Sequence, residues 1–172
     1  MSAQDAHCPV CGQGFAAGEP RCRRPDGDVH ARCFKGPRVL VVDDDALFRD
    51  LVARAVRHQR YCQVDTVSDG HAALERVRTH VYDLILSDLH MQVMDGPTFY
   101  RRMQVEHPDI VERIVFMTSQ VDHYAQFIRD VGARVLRKPF RKEDLDAILT
   151  HVMGLTRASR EGPREGKEEG SQ

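Results

Sequence analysis

Between residues 38 and 155 the chain alternates, five times, a short apolar run with a longer amphipathic stretch. The apolar runs are RVLVVD, CQVDTV, YDLILSD, ERIVFMT and ARVLRK. Such runs suit strands buried on both faces, and strands separated by helices pair in parallel with the helices covering the sheet on both sides. The expected architecture is therefore α/β. In such folds the ligand binds beyond the carboxyl ends of the strands, so the residues that close each run are the ones to inspect.

The intervening stretches read as helices. In DALFRDLVARAVRHQ, Leu47, Phe48, Leu51, Val52, Ala55 and Val56 are expected on one face. DGHAALERVRTH forms the second helix, with Asp69 as its N-cap. Gly96 and Pro97 open the third, which ends before Pro108. SQVDHYAQFIRDVG is the fourth, closed by Gly132. RKEDLDAILTHVMG is the fifth, with Leu145, Ile148, Leu149 and Val152 inward.

The strand ends carry a distinctive set of groups. The first supplies Asp43 and Asp44, the third Asp88, the fourth Thr118 and the fifth Lys138. Carboxylates this close repel unless a cation lies among them. Oxygen-only ligands favour Mg2+, which keeps waters and phosphate oxygens in its octahedron. Lys138 offers a compact charge for a phosphate oxygen. The chain uses 21 Arg against 4 Lys, so a lysine at this position stands out. An aspartate in that setting can act as a nucleophile and form an aspartyl phosphate, and the hydroxyl of Thr118 can bond a phosphate oxygen once it arrives.

Residues 38–153 resemble the receiver domain of two-component response regulators, through VLVVDDD, YDLILSDLHMQVMDGPTF, IVFMTS and VLRKPF. The spacings agree as well: 44 residues from Asp44 to Asp88, 30 from Asp88 to Thr118 and 20 from Thr118 to Lys138. The resemblance implies a doubly wound five-stranded parallel sheet, flavodoxin-like, in strand order 2-1-3-4-5. It implies that Asp88 takes a phosphoryl group from a sensor histidine kinase or phosphotransfer protein. It implies Mg2+ on Asp43, Asp44, Asp88 and the backbone carbonyl of His90. Thr118 becomes the switch hydroxyl and Lys138 the phosphate-pairing ammonium. Such a domain catalyses its own phosphorylation and slow dephosphorylation rather than acting as an independent enzyme. It signals to a downstream protein through the face of its fourth helix, fifth strand and fifth helix, with a phosphorylation-dependent homodimer as one form of output. Asp45 matches no ligand position and reads as the cap of the first helix. Two positions depart from the family pattern: Gln92 stands where Pro is usual, and Val135 where an aromatic residue often reports phosphorylation. Ser119 is small, as phosphate access requires, and His90 is expected to face the site and tune phosphate lifetime.

The first 36 residues differ in kind. They hold Cys8, Cys11, Cys22 and Cys33, much Gly and few aliphatic residues. Cys8-x2-Cys11 and His30-x2-Cys33 form two chelating pairs, the donor set of a closed structural Zn2+ site. The spacing resembles the first half of a LIM zinc module and, more loosely, zinc ribbons. Protein docking is the expected role. Arg21, Arg23, Arg24 and Arg32 are the only hint of nucleic-acid contact, with Asp26 and Asp28 beside them. Cys62 is expected inside a strand, buried and inert. His58, His71, His80, His107, His123 and His151 read as surface residues.

Three segments result: a zinc-binding module over 1–36, a receiver-like domain over 37–155 and a disordered tail over 156–172, rich in charge and Gly. No DNA-binding or enzymatic output domain is expected after the receiver-like segment. The net charge of −1 gives no global field favouring nucleic acid or anionic lipid. No apolar run approaches the ~20 residues of a membrane helix. MSAQDAHCPVCGQGF lacks the basic start and apolar stretch of a secretory signal, so the expected location is the cytoplasm. The alternative function is a phosphorylation-independent scaffold whose zinc module binds a protein or, less favoured, DNA.

Overall fold

The computed structural model describes residues 7–8, 13–14, 16, 21–22, 29–30, 36–60 and 62–160. Strands β1 (Arg21–Cys22) and β2 (Val29–His30) pair antiparallel, with Arg21 opposite His30. An isolated bridge joins His7 to Gly14, and the Cys8 N–H donates to the Gln13 carbonyl at 2.9 Å. Cys8 is fully buried. Cys11 and Cys33 lie outside the described residues, as does all of the tail beyond residue 160.

From residue 38 the chain follows the expected alternation. Its elements are β3 (Arg38–Val42), α1 (Ala46–Arg60), β4 (Gln63–Val67), α2 (Gly70–Thr79), β5 (Leu84–Asp88), α3 (Gly96–Glu106), β6 (Ile114–Thr118), α4 (Ala125–Val131), β7 (Arg134–Arg137) and α5 (Lys142–Arg160). The five later strands form one parallel sheet in the order β4-β3-β5-β6-β7. Counting only these strands, the order is 2-1-3-4-5. The three inner strands are the most deeply buried, whereas both edge strands are mostly half-exposed.

Side chains along the inner strands point alternately to opposite faces, and each face builds its own core. Leu40, Val42, Ile85, Ile114 and Phe116 join Ala73, Leu74, Phe99 and Met103 of α2 and α3. Val39, Val41, Leu84, Leu86, Val115 and Met117 join Val52, Val56, Leu145 and Leu149 of α1 and α5. Burying each such side chain contributes roughly 1.5–3 kcal/mol before entropy is counted.

The elements differ from expectation in five places. Leu47 and Leu51 are 85% and 63% exposed; Ala53 takes their place, so the buried stripe of α1 is centred between Val52 and Val56. The fourth helix begins only at Ala125, after a turn in which Tyr124 N–H bonds the Gln120 carbonyl and the Tyr124 ring folds into the core. A 3-10 segment, Pro108–Arg113, precedes β6; Ile110 anchors it in the core. Helix α5 runs on to Arg160, past the boundary that composition places at 155. Cys62, buried as expected, sits immediately before β4 rather than inside it.

The caps hold as read. Asp69 accepts from Ala72 N–H at 3.0 Å. Gly132 closes α4 at φ +62°, a left-handed conformation that favours glycine. Among the described residues no helix is long and apolar enough to cross a membrane.

Candidate active site

The parallel register brings the closing residues of β3, β5, β6 and β7 to one edge. Asp43 follows β3 directly, and its N–H bonds the Val67 carbonyl of β4 at 3.2 Å. Its side chain is fully buried. One oxygen, Oδ1, accepts from Asp45 N–H at 2.9 Å; the other, Oδ2, accepts from Lys138 Nζ at 2.7 Å. Asp45 caps α1, its Oδ1 accepting from the N–H groups of Leu47 at 2.9 Å and Phe48 at 3.2 Å. Arg49 Nη1 donates to the Asp43 carbonyl at 2.6 Å and fixes the turn from the other side. Asp44 is exposed at the rim.

Asp88 is the last residue of β5 and is buried. Its Oδ1 accepts from His90 N–H at 3.3 Å and its Oδ2 from Lys138 Nζ at 2.9 Å. The lysine therefore bridges both buried carboxylates. Its own position is set by the backbone, since Lys138 N–H bonds the Thr118 carbonyl at 2.8 Å. Thr118 is buried at the end of β6, its Oγ1 accepting from Gln120 N–H at 3.0 Å.

The loop after Asp88 is drawn closed. Gly96 N–H donates to the Leu89 carbonyl at 3.0 Å, and Leu89 N–H to the Met117 carbonyl at 3.1 Å. A Cβ on Gly96 would lie 2.8 Å from Leu89 Cα and 3.0 Å from the Asp88 carbonyl. Only glycine lets the start of α3 press against the end of β5 in this way. Asp95 caps that helix, accepting from Thr98 N–H at 2.8 Å.

Burial pushes the Asp43 carboxyl above the ordinary aspartate value; the bond to Lys138 and its charge counter part of that rise, while the Asp88 charge adds to it. The Tyr124 phenol is likewise raised, first by burial and then by the charges of Asp95 and Asp88.

The donor set fits a hard divalent cation. Asp43, Asp44 and Asp88 each offer a carboxylate oxygen, all within 4.8 Å of one another, the all-oxygen chemistry that Mg2+ takes. Among the described residues this is the one such cluster of three or more. His90 is exposed, and its ring Nδ1 lies 3.1 Å from the Tyr124 hydroxyl. Two contacts were not foreseen. One is that between His90 and Tyr124, which turns inward from the start of α4. The other is Phe48, whose ring centroid lies 4.2 Å from Lys138 Nζ; its helical spacing marks it only as a core residue. Of the histidines expected at the surface, His107 is half-buried, and its Nε2 is buried without a hydrogen-bond partner. His80 is half-buried as well and bonds Thr79.

The model of the response regulator receiver domain family matches residues 39–150, and the chain belongs to that family. The probable chemotaxis protein CheY of Rhizobium etli is 29% identical over 119 residues, which cover 68% of this chain and 92% of that protein. The transcriptional regulatory protein ZraR of Klebsiella oxytoca is 31% identical over 121 residues, 70% of this chain but 27% of that one. The chain thus spans about a quarter of that longer relative. Among solved structures, the chemotaxis response regulator CheY4 of Vibrio cholerae is 30% identical with a TM-score of 0.61, covering 69% of this chain and 99% of that one. The receiver domain of sensor histidine kinase PA1611 from Pseudomonas aeruginosa is 27% identical with a TM-score of 0.60, covering 69% and 98%. That structure has a magnesium ion coordinated in its active-site cleft.

Proposed function

We propose that this chain is a phosphoacceptor response regulator that takes a phosphoryl group on Asp88 from the phosphohistidine of a sensor kinase or phosphotransfer protein. The carrying observation is the Lys138 ammonium bridging Asp43 and Asp88 at 2.7 and 2.9 Å, with Asp44 beside them. Asp43, Asp44, Asp88 and the His90 backbone carbonyl would hold Mg2+. Bound there, the ion supplies positive charge to the carboxylates and to the phosphoryl oxygens.

The chain's own groups define the step. A carboxylate oxygen of Asp88 attacks phosphorus and forms the new P–O bond. The P–N bond to the donor imidazole breaks, and that nitrogen keeps the electron pair and takes a proton from solvent. Lys138 pairs with a phosphoryl oxygen, and the Thr118 hydroxyl, now an acceptor for Gln120 N–H, donates to another. Release to water gives inorganic phosphate and restores the carboxylate.

The output surface is the face of α4, β7 and α5, turned toward a downstream protein. Helix α4 supports this reading: it has no fully buried residue, and Phe127, Ile128 and Val131 hold it only by half-buried contacts. A weakly held element is the kind a small change at the site can shift. The cysteine module is read as Zn2+ on Cys8, Cys11, His30 and Cys33, a protein-docking unit. The full burial of Cys8 supports this. A cytoplasmic location completes the reading.

The test is incubation with a small acyl-phosphate donor and Mg2+. Wild type is expected to gain one phosphoryl group by intact mass, and Asp88→Asn none. An unmodified wild type, with Asp88→Asn retaining partner binding, would instead support the scaffold.

A further inference from the structure

The Phe48 ring has no part in the chemistry above, yet it lies against the group that carries it. Lys138 Nζ stands 4.2 Å from the ring centroid while bonded to both carboxylates. The ring is fixed in turn by Phe140, edge-on at 5.7 Å and 81°. Phe48 reaches this position because Asp45 caps α1 through the N–H groups of Leu47 and Phe48 itself. Phe48, steadied by Phe140, thus gives the ammonium an aromatic seat.

We propose that Phe48 is a positioning residue for phosphoryl transfer, acting through Lys138. This rests on the phosphoacceptor reading. In the resting chain the Lys138 ammonium has three partners among the described residues: Asp43, Asp88 and the ring. During transfer Asp88 spends its oxygen on phosphorus, and Asp43 is the carboxylate best buried to serve a metal. The lysine then loses hold of both anions at the moment its charge must meet a phosphoryl oxygen. The aromatic face is the one partner unchanged by the reaction. It attracts a cation through its quadrupole, most strongly where water is excluded, and the Lys138 side chain is only 15% exposed. A lysine without that seat has a flexible four-carbon stem to order.

The plain alternative is that Phe48 only fills space between α1 and α5, where it packs on the core that holds Leu145 and Leu149. The two differ in coupling. A space-filling ring has no reason to couple to the charge of Lys138; a cation seat does.

The experiment compares wild type, Phe48→Leu, Phe48→Tyr, Lys138→Met and the double variant Phe48→Leu/Lys138→Met as full-length chains. Lys138 side-chain methylene proton resonances are expected upfield in wild type, from the ring current, and to lose that shift in Phe48→Leu. Urea unfolding is expected to be non-additive, with Phe48→Leu costing less in the Lys138→Met background than in wild type. Phosphorylation by a small acyl phosphate, at saturating donor and Mg2+, is expected to slow roughly three- to ten-fold in Phe48→Leu. Phe48→Tyr should stay within about two-fold, and the Mg2+ midpoint should hold in both. Additive stabilities, an unshifted lysine, or an unchanged rate in Phe48→Leu would each overturn the proposal. A wild type that takes no phosphoryl group would overturn the phosphoacceptor reading first, and the wild-type control separates that failure from the others.

Discussion

Replacing Lys138 by Met tests the electrostatics of the site most sharply. Lys138 supplies the positive charge that the structure sets between Asp43, fully buried, and Asp88, with a side chain 11% exposed. Methionine keeps much of the stem and removes the charge. Two carboxylates are then left facing each other with little water. Removing one partner from a buried ion pair costs ~3–5 kcal/mol. The slight exposure of Lys138 places the expected loss near the lower end, about 3 kcal/mol, or about 10 °C in Tm. The pH dependence follows from Asp43. Its carboxyl already sits above the ordinary aspartate value despite the lysine, and without the lysine it rises further. A carboxyl whose folded pKa exceeds its unfolded value is a penalty at neutral pH that fades as pH falls through the folded value. The stability gap between variant and wild type should therefore narrow as pH is lowered from 7. Mg2+ should narrow it too, because an ion on the same oxygens supplies the missing charge, and the variant should bind Mg2+ more tightly than wild type because no ammonium competes. Urea unfolding followed by far-UV circular dichroism, across pH and with or without added Mg2+, measures all three. A gap under about 1 kcal/mol, or one indifferent to both pH and Mg2+, would refute the reasoning.

Other perturbations have separate readouts. Asp69→Ala should cost about 1 kcal/mol at neutral pH through loss of the α2 cap. Backbone bonding to Ala72 holds the Asp69 carboxyl below the ordinary aspartate value; its contribution is thus full above that ordinary value and lost as pH falls through the depressed one, so the variant should converge on wild type in acid unfolding curves. Gly96→Ala forces a Cβ to 2.8 Å from Leu89 Cα, backbone that cannot step aside. About 1–3 kcal/mol of stability should be lost, with slower phosphorylation of Asp88. Tyr124→Phe removes the hydroxyl that meets His90 at 3.1 Å. Because that imidazole is exposed, the stability change should stay under about 1 kcal/mol in denaturant titrations.

The sheet was legible because its inner strands are apolar on both faces, a pattern that few other elements tolerate. The acid-lysine site was legible because parallel strands deliver their last residues to one edge whatever the loops do. What escaped the sequence was direction and contact. Leu47 and Leu51 fall within the same broad apolar stripe as Val52 and Val56, and only packing against β3 and β4 decides which margin turns to water. The late start of α4 follows from a tertiary preference, the burial of Tyr124, which outweighs local helix spacing. The seat that Phe48 offers Lys138 spans 90 residues of sequence and leaves no periodic trace. Neither does the reach of Lys138 to two carboxylates rather than one.

The most direct measurement is the position of the phosphoryl group itself. After reaction with a small acyl phosphate and Mg2+, borohydride reduction converts an aspartyl phosphate to homoserine, and peptide mass spectrometry locates it. The expected result is homoserine at position 88 alone, with Asp43 and Asp44 unchanged, and none anywhere in Asp88→Asn. Homoserine at Asp43 or Asp44, or at no position in a folded wild type that binds Mg2+, would contradict the assignment of Asp88 as the acceptor.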